Sequence, residues 1–208
     1  LDIKYKKDKK DKKLTQICID LTDLKKLEKL INKIGKQNKK IDILVNNAGI
    51  SLDYKKYNLE SHWNQTININ LKVPFFLINF CKKYLAKSNF PSVVNISSIS
   101  AKIAMSNNPS YNISKSGLNA LTMSLANDFS DQKIRVNSVC PGYIKTEMTK
   151  KSYNDKKLSK IRTSRIMNRE YGNPEDVANL VVFLSSVKSK YINAQELVID
   201  GGLIKKGI

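Results

Sequence analysis

The sequence predicts an α/β fold built on a parallel, doubly wound sheet, and three observations carry that prediction. Short runs of branched aliphatic residues recur at 41–45, 92–96, 134–139 and 196–200, each ending in small or polar residues. Between them lie longer stretches whose apolar residues repeat every three or four positions, the period of a helix with one buried face. Strands that alternate with helices in this way form a parallel sheet covered on both faces. At 208 residues and 41% hydrophobic composition the chain fits one domain, residues 1–208, with no internal repeat or linker.

Taken in order, residues 14–20 (Leu-Thr-Gln-Ile-Cys-Ile-Asp) read as the first strand. Leu21-Thr22-Asp23 then caps a helix whose Leu24, Leu27, Leu30, Ile31 and Ile34 share one face, ending near Gly35. The strand at 41–45 delivers the turn Asn46-Asn47-Ala48-Gly49. Residues 59–84 read as one long helix with Trp63, Ile67, Leu71, Phe75 and Ile78 on its apolar faces, and Pro74 is expected to kink it. The strand at 92–96 runs into Ser97-Ser98. From about 108 to 129, Leu118, Leu121 and Leu125 recur at helical spacing. The strand at 134–139 leads to Cys140-Pro141-Gly142. Residues 141–169 are polar, basic and poor in glycine, and a mobile substrate lid is expected there. Asn173-Pro174-Glu175-Asp176 caps a helix through residue 185, with proline in its first turn. The last strand, 196–200, closes on Gly201-Gly202.

Composition narrows the function. No apolar run reaches the roughly 18 residues that a membrane-spanning helix needs. Cys18, Cys81 and Cys140 lie scattered in apolar surroundings and read as small core residues of a reducing compartment, not a disulfide framework. His62 is the only histidine, so a histidine-based metal cluster or a serine–histidine triad is unavailable, and no metal is expected. The net charge of +19 raises the question of nucleic acid. The lysines are spread along the chain without interleaved aromatics, among an excess of Asn and Ile that AT-rich coding produces. Most of this charge therefore reads as solvated surface, and a basic rim would help steer an acidic partner.

The chemistry concentrates on Tyr111 and Lys115, with Ser98 thirteen residues upstream of the tyrosine. Four residues apart on a helix, Tyr111 and Lys115 stack one turn from each other on one face. An ammonium that close is expected to favour the phenolate and pull the tyrosine pKa down, so that it works as a general acid or base near neutrality. Ser98 follows a buried strand, placing its hydroxyl at a strand's C-terminal end, the edge where open α/β sheets bind ligands.

These residues come with Val45-Asn46-Asn47-Ala48-Gly49, Asn68-Ile69-Asn70-Leu71, Asn137-Ser138-Val139-Cys140-Pro141-Gly142 and Asp200-Gly201-Gly202, in that order. The set resembles the short-chain dehydrogenase/reductases, especially 3-oxoacyl-(acyl-carrier-protein) reductases, from about residue 17 to 202. The resemblance implies a Rossmann-like domain and an NADP- or NAD-dependent reduction of a ketone to a secondary alcohol, with NADP slightly favoured. It implies that Tyr111 protonates the carbonyl oxygen and that Lys115 lowers the tyrosine pKa and binds the nicotinamide ribose. Ser98 would hydrogen-bond the substrate oxygen, favoured over its rival Ser97 by the spacing to Tyr111, and Asn70 would hold a relay water, Asn70-Leu71-Lys72 matching the family's pattern better than the competing Asn68. It further implies that Asp20 and Leu21 contact the adenine, that Asn46, Ala48 and Gly49 line the adenosine half, and that Pro141, Gly142, Ile144 and Thr146 cover the nicotinamide. A cytoplasmic homotetramer is implied, with the helices carrying Asn70 and Tyr111 packed across one interface. The substrate would be a small-molecule or carrier-bound carbonyl compound; a sugar or other small alcohol fits the motifs equally well. Ala101 and Asn193-Ala194 are mild departures from the family pattern.

The family's first strand, its Thr-Gly-x-x-x-Gly-x-Gly turn, the following helix and a second strand have no counterpart here, since no glycine precedes Gly35. Residues 1–13 read as the end of the helix before the family's third strand. An N-terminally truncated domain is therefore expected, lacking one strand–helix–strand unit of roughly 30 residues. Two readings stay open: a partial sequence of a working reductase, favoured by the retained Tyr111 and Lys115, or a catalytically silent copy that binds cofactor poorly.

Overall fold

The structure is a computed structural model that describes residues 9–10, 14–52 and 58–206. It opens with a hairpin, β1 (Lys9–Lys10) paired antiparallel with β2 (Thr15–Gln16). The helix end expected over 1–13 is thus replaced by extended chain at Lys9–Lys10, and its other residues lie outside those described. Of the strand expected over 14–20, Thr15–Gln16 pair with Lys9–Lys10 and Cys18 makes an isolated bridge. Cys18 is exposed, against the core position expected for it, whereas Cys81 and Cys140 are buried.

Helix α1 (Leu24–Asn38) starts where the Asp23 carboxylate accepts from the Lys26 N–H, and it buries Leu27, Ile31 and Gly35. It ends at Lys39, which adopts a left-handed φ of 65°. Strand β3 (Ile43–Asn46) is followed by α2 (Leu59–Ile67), a wide π turn at Asn68–Lys72, and α3 (Val73–Leu85). The single long helix predicted here is thus interrupted, and upstream of Pro74. Proline cannot donate to the carbonyl four residues back, at Asn70, and its ring crowds that carbonyl. Widening the preceding turn relieves the conflict and leaves Pro74 in the first turn of α3, where it is well tolerated.

Strand β4 (Ser92–Ile96) precedes α4 (Pro109–Asp128), and β5 (Arg135–Pro141) precedes α5 (Lys150–Asn154) and α6 (Lys156–Arg165). The expected lid is therefore largely helical. Tyr171 anchors it, with ring centroids 5.8 Å from Tyr143 and 6.2 Å from Tyr153, and Arg162 lies over the Tyr143 ring. Helix α7 (Pro174–Leu184) opens with a reciprocal Asn173–Asp176 capping box, and β6 (Glu196–Ile199) completes the sheet.

The main sheet runs β3-β4-β5-β6, all parallel, with Val45 beside Val94 and Val94 beside Asn137. Alternate strand residues face opposite sides. Val93 and Val136 pack with Leu27, Ile31, Ile78, Leu85 and Phe129 from α1, α3 and α4's C-terminal end. Val94 and Val139 pack with Leu184 of α7 and its neighbours. Helices thus cover both faces, as the sequence predicts for a doubly wound sheet.

Candidate active site

The C-terminal ends of β3, β4 and β5 converge on α4. At the end of β3, Asn46 is buried and its Nδ2 donates to Asn95 Oδ1 at 2.7 Å. Asn95 in turn donates to Thr122 Oγ1 on α4 at 2.9 Å. Asn46 therefore ties two strands and a helix together, while exposed Ala48 and half-buried Gly49 form the turn beyond it. A Cβ on Gly49 would stand 3.3 Å from Asn70 Oδ1 and 3.4 Å from Lys115 Nζ, so the bare glycine keeps open the space between these two side chains.

Beyond β4 the two serines separate in role. Ser97 is buried and its hydroxyl donates to the Lys115 carbonyl at 3.1 Å. Ser98 accepts from the Ser100 N–H at 3.1 Å and its hydroxyl meets the Tyr111 phenol. Ser98, which the spacing to Tyr111 favours over Ser97, is the serine that lies against the tyrosine.

Helix α4 begins at Asn108, whose Oδ1 accepts from the Tyr111 N–H at 3.3 Å, and Pro109 occupies the first turn. This fixes the turn from which Tyr111 projects. One turn on, Lys115 is buried; its Nζ donates to the Ile96 carbonyl at 2.8 Å and lies 5.7 Å from the Tyr111 ring centroid. Asn70, at the centre of the π turn, is fully buried. Its Oδ1 accepts from the Ile50 N–H at 2.8 Å, and its Nδ2 donates to the Ile50 carbonyl at 2.9 Å and to Ser114 Oγ at 3.1 Å. Ser114 donates to the Tyr111 carbonyl at 2.8 Å. The Asn70 amide is thus a latch between the β3 loop and α4.

The electrostatics differ from the expectation. Burial pushes the Tyr111 pKa up, and the hydrogen bond with Ser98 opposes that rise. Lys115 is not what sets the tyrosine here: its ammonium points at the Ile96 carbonyl, and burial pulls its own pKa down to about 8, with Cys140 acting in the opposite direction. Near neutrality Tyr111 is a protonated phenol, the form a proton donor needs, beside a lysine that is still mostly cationic.

The remaining predicted residues are held by local structure. The Asp20 carboxylate accepts from the Thr22 N–H and hydroxyl, and Leu21 belongs to the core beside α1. Pro141 ends β5. Gly142 donates its N–H to the Ile199 carbonyl at 2.9 Å, and any Cβ there would lie 2.7 Å from the Asp200 Cβ, so only glycine fits. Ile144 is buried and bridges to Gly172, while Thr146 exchanges bonds with Thr149 at the start of a short 3-10 turn. Sequence reasoning missed Asn108 and Ser114. The Asn-Pro pair at 108–109 is a helix-start signature that marks the first; nothing local marks Ser114. Among the described residues no cluster of three or more His, Cys, Asp or Glu is placed to hold a metal, and no helix is long and apolar enough to cross a membrane.

Comparison with known proteins points the same way. A profile of the enoyl-(acyl carrier protein) reductase family matches residues 4–204. The 3-oxoacyl-[acyl-carrier-protein] reductase FabG of Thermotoga maritima is 37% identical over 173 residues, covering 83% of this chain and 70% of that protein. The 2-dehydro-3-deoxy-D-gluconate 5-dehydrogenase of Bacillus subtilis is 34% identical over 171 residues, 82% of this chain and 67% of its own. The fold superposes with a TM-score of 0.83 on a Pseudomonas aeruginosa RhlG/NADP active-site complex, at 29% identity over 90% of this chain and 75% of the other.

Proposed function

The chain belongs to the short-chain dehydrogenase/reductase family of oxidoreductases, and from that premise we propose that it reduces a 3-oxoacyl thioester-like ketone to a secondary alcohol. The observation that carries this reading is the constellation of Tyr111, with Ser98 on its phenol, and Lys115 one turn away on the same helix face. A nicotinamide cofactor, NADP in preference to NAD, would supply the hydride when bound. The residues fit its ribose half: Lys115 commits one N–H to Ile96, leaving two donors, and Gly49 leaves open the space beside them.

Ser98 orients the substrate carbonyl oxygen, and the Tyr111 hydroxyl transfers its proton to that oxygen as negative charge develops there. Lys115 would hold the nicotinamide ribose beside the tyrosine with the donors that Ile96 leaves free. Both Asn70 amide hydrogens are committed, so a relay water would be held through its carbonyl oxygens, the main-chain one standing where Pro74 cannot donate.

Two observations favour a carrier-bound acyl substrate. FabG of Thermotoga maritima is a close relative in sequence. Helices α5 and α6 with the loop beyond carry Lys150, Lys151, Lys156, Lys157, Lys160, Arg162, Arg165 and Arg169, a basic surface suited to an acidic carrier protein. The gluconate-type relative supports a second reading, oxidation of a sugar acid's hydroxyl. A homotetramer is supported by the exposed Trp63 of α2, Phe75 of α3, and Ile113 and Met123 of α4. The deciding experiment follows reduced-nicotinamide absorbance, with each dinucleotide, on acetoacetyl-type thioesters and on sugar-acid substrates. Turnover of the thioester with at least tenfold preference, about 1.4 kcal/mol in transition-state binding, is expected. Turnover of sugar acids alone would replace this reading with the second.

A further inference from the structure

Three consecutive residues beyond the β3 turn are each fastened by a different buried or capping side chain. Asn70 holds both main-chain groups of Ile50. Asn108, the cap of α4, donates through Nδ2 to Ser51 Oγ at 2.9 Å while its Oδ1 holds the Tyr111 N–H. The third fastening is His62, on α2 and completely buried. Its Nδ1 lies 3.2 Å from Ser110 Oγ, in the residue next to Tyr111, and its Nε2 lies 3.3 Å from the Leu52 carbonyl. The imidazole thus bridges the first turn of α4 to residue 52.

We infer that His62 is a positioning residue that sets Tyr111 and the Ile50–Ser51–Leu52 segment in register, one acting through Nδ1 and the other through Nε2. The inference rests on the reading of Tyr111 as proton donor. A carbonyl oxygen only accepts, so the Leu52 contact requires the proton on Nε2. Nδ1 faces the Ser110 hydroxyl, which can both donate and accept. Ser110 is itself buried, so loss of Nδ1 would leave its hydroxyl without this partner in the turn that aims the tyrosine. Loss of Nε2 would release residue 52 without touching that turn.

His62 is the only histidine, so its ring nitrogens give one set of signals in a selectively labelled protein. The expected spectrum of the wild-type chain shows a proton on Nε2, a readout that needs no turnover. A ring protonated on Nδ1 alone would overturn the inference whatever the substrate proves to be. Two variants then separate the two arms. Asparagine at this position places its amide near the Nδ1 site and glutamine near the Nε2 site. His62→Asn is expected to keep kcat within about twofold and raise the substrate KM about tenfold. His62→Gln is expected to lower kcat about tenfold with KM nearly unchanged. Circular dichroism and urea unfolding normalise each rate to the folded fraction. Equal kcat and KM in both variants and the wild type would refute the positioning role. The intended split in a protein that prefers sugar acids would retain this inference while removing the thioester reading.

Discussion

Replacing Lys115 with methionine tests the electrostatic description most directly, because burial has moved this lysine from an ordinary 10.5 down to about 8. A fall of about 2.5 units, at about 1.4 kcal/mol each, corresponds to roughly 3 kcal/mol of penalty for carrying the charge inside. Below pH 8 both folded and unfolded chains hold the proton, and the folded state bears that full penalty. Between pH 8 and 10.5 the unfolded chain keeps the proton and the folded one has lost it, so stability rises with pH. Methionine has no proton to lose. The stability advantage of Lys115→Met over wild type should therefore shrink by about 2 kcal/mol between pH 7 and about pH 9.5. The Ile96 carbonyl also loses its partner in the variant. That cost, about 1 to 3 kcal/mol, does not depend on pH and cancels from the slope. Cys81, whose thiol burial pushes up to about 12, titrates in both proteins and cancels likewise. Urea unfolding of both proteins across this pH range gives the difference. Parallel curves would refute the claim that Lys115 is held charged at a cost.

Two further outcomes follow from the same geometry. Tyr111→Phe removes the proton donor but keeps the ring, so kcat should fall by about 10²- to 10⁴-fold while nucleotide affinity, measured by fluorescence quenching, stays unchanged; a residual rate near wild type would assign the proton to another group. Asn70→Ala removes both bonds to Ile50 and the one to Ser114, and should cost about 2 to 3 kcal/mol in urea unfolding. A loss below about 0.5 kcal/mol would mean that the latch contributes nothing net.

The strands at 43–46, 92–96, 135–141 and 196–199, the α4 helix and the Asn173–Asp176 cap were legible from the sequence alone. Each depends on periodicity or on groups a few residues apart, so the local chain contains the whole signal. The Tyr111–Lys115 pairing is of the same kind, since helical spacing places them one turn apart. What sequence could not supply was the direction in which a side chain finds its partner. Spacing to Tyr111 favours Ser98 over Ser97, but only the packing of α4 against β4 gives Ser97 its own partner, the Lys115 carbonyl. Spacing likewise places Lys115 beside Tyr111 without showing where its ammonium points, because the Ile96 carbonyl that accepts from Nζ lies 19 residues upstream. The segment at 14–20 has strand-like composition, yet Thr15–Gln16 pair antiparallel with Lys9–Lys10, a local pairing that composition does not announce. Composition and spacing determined the elements and the Tyr111–Lys115 pairing; burial and long-range hydrogen bonds decided which groups face one another, because desolvation and partner geometry exist only once the chain is packed.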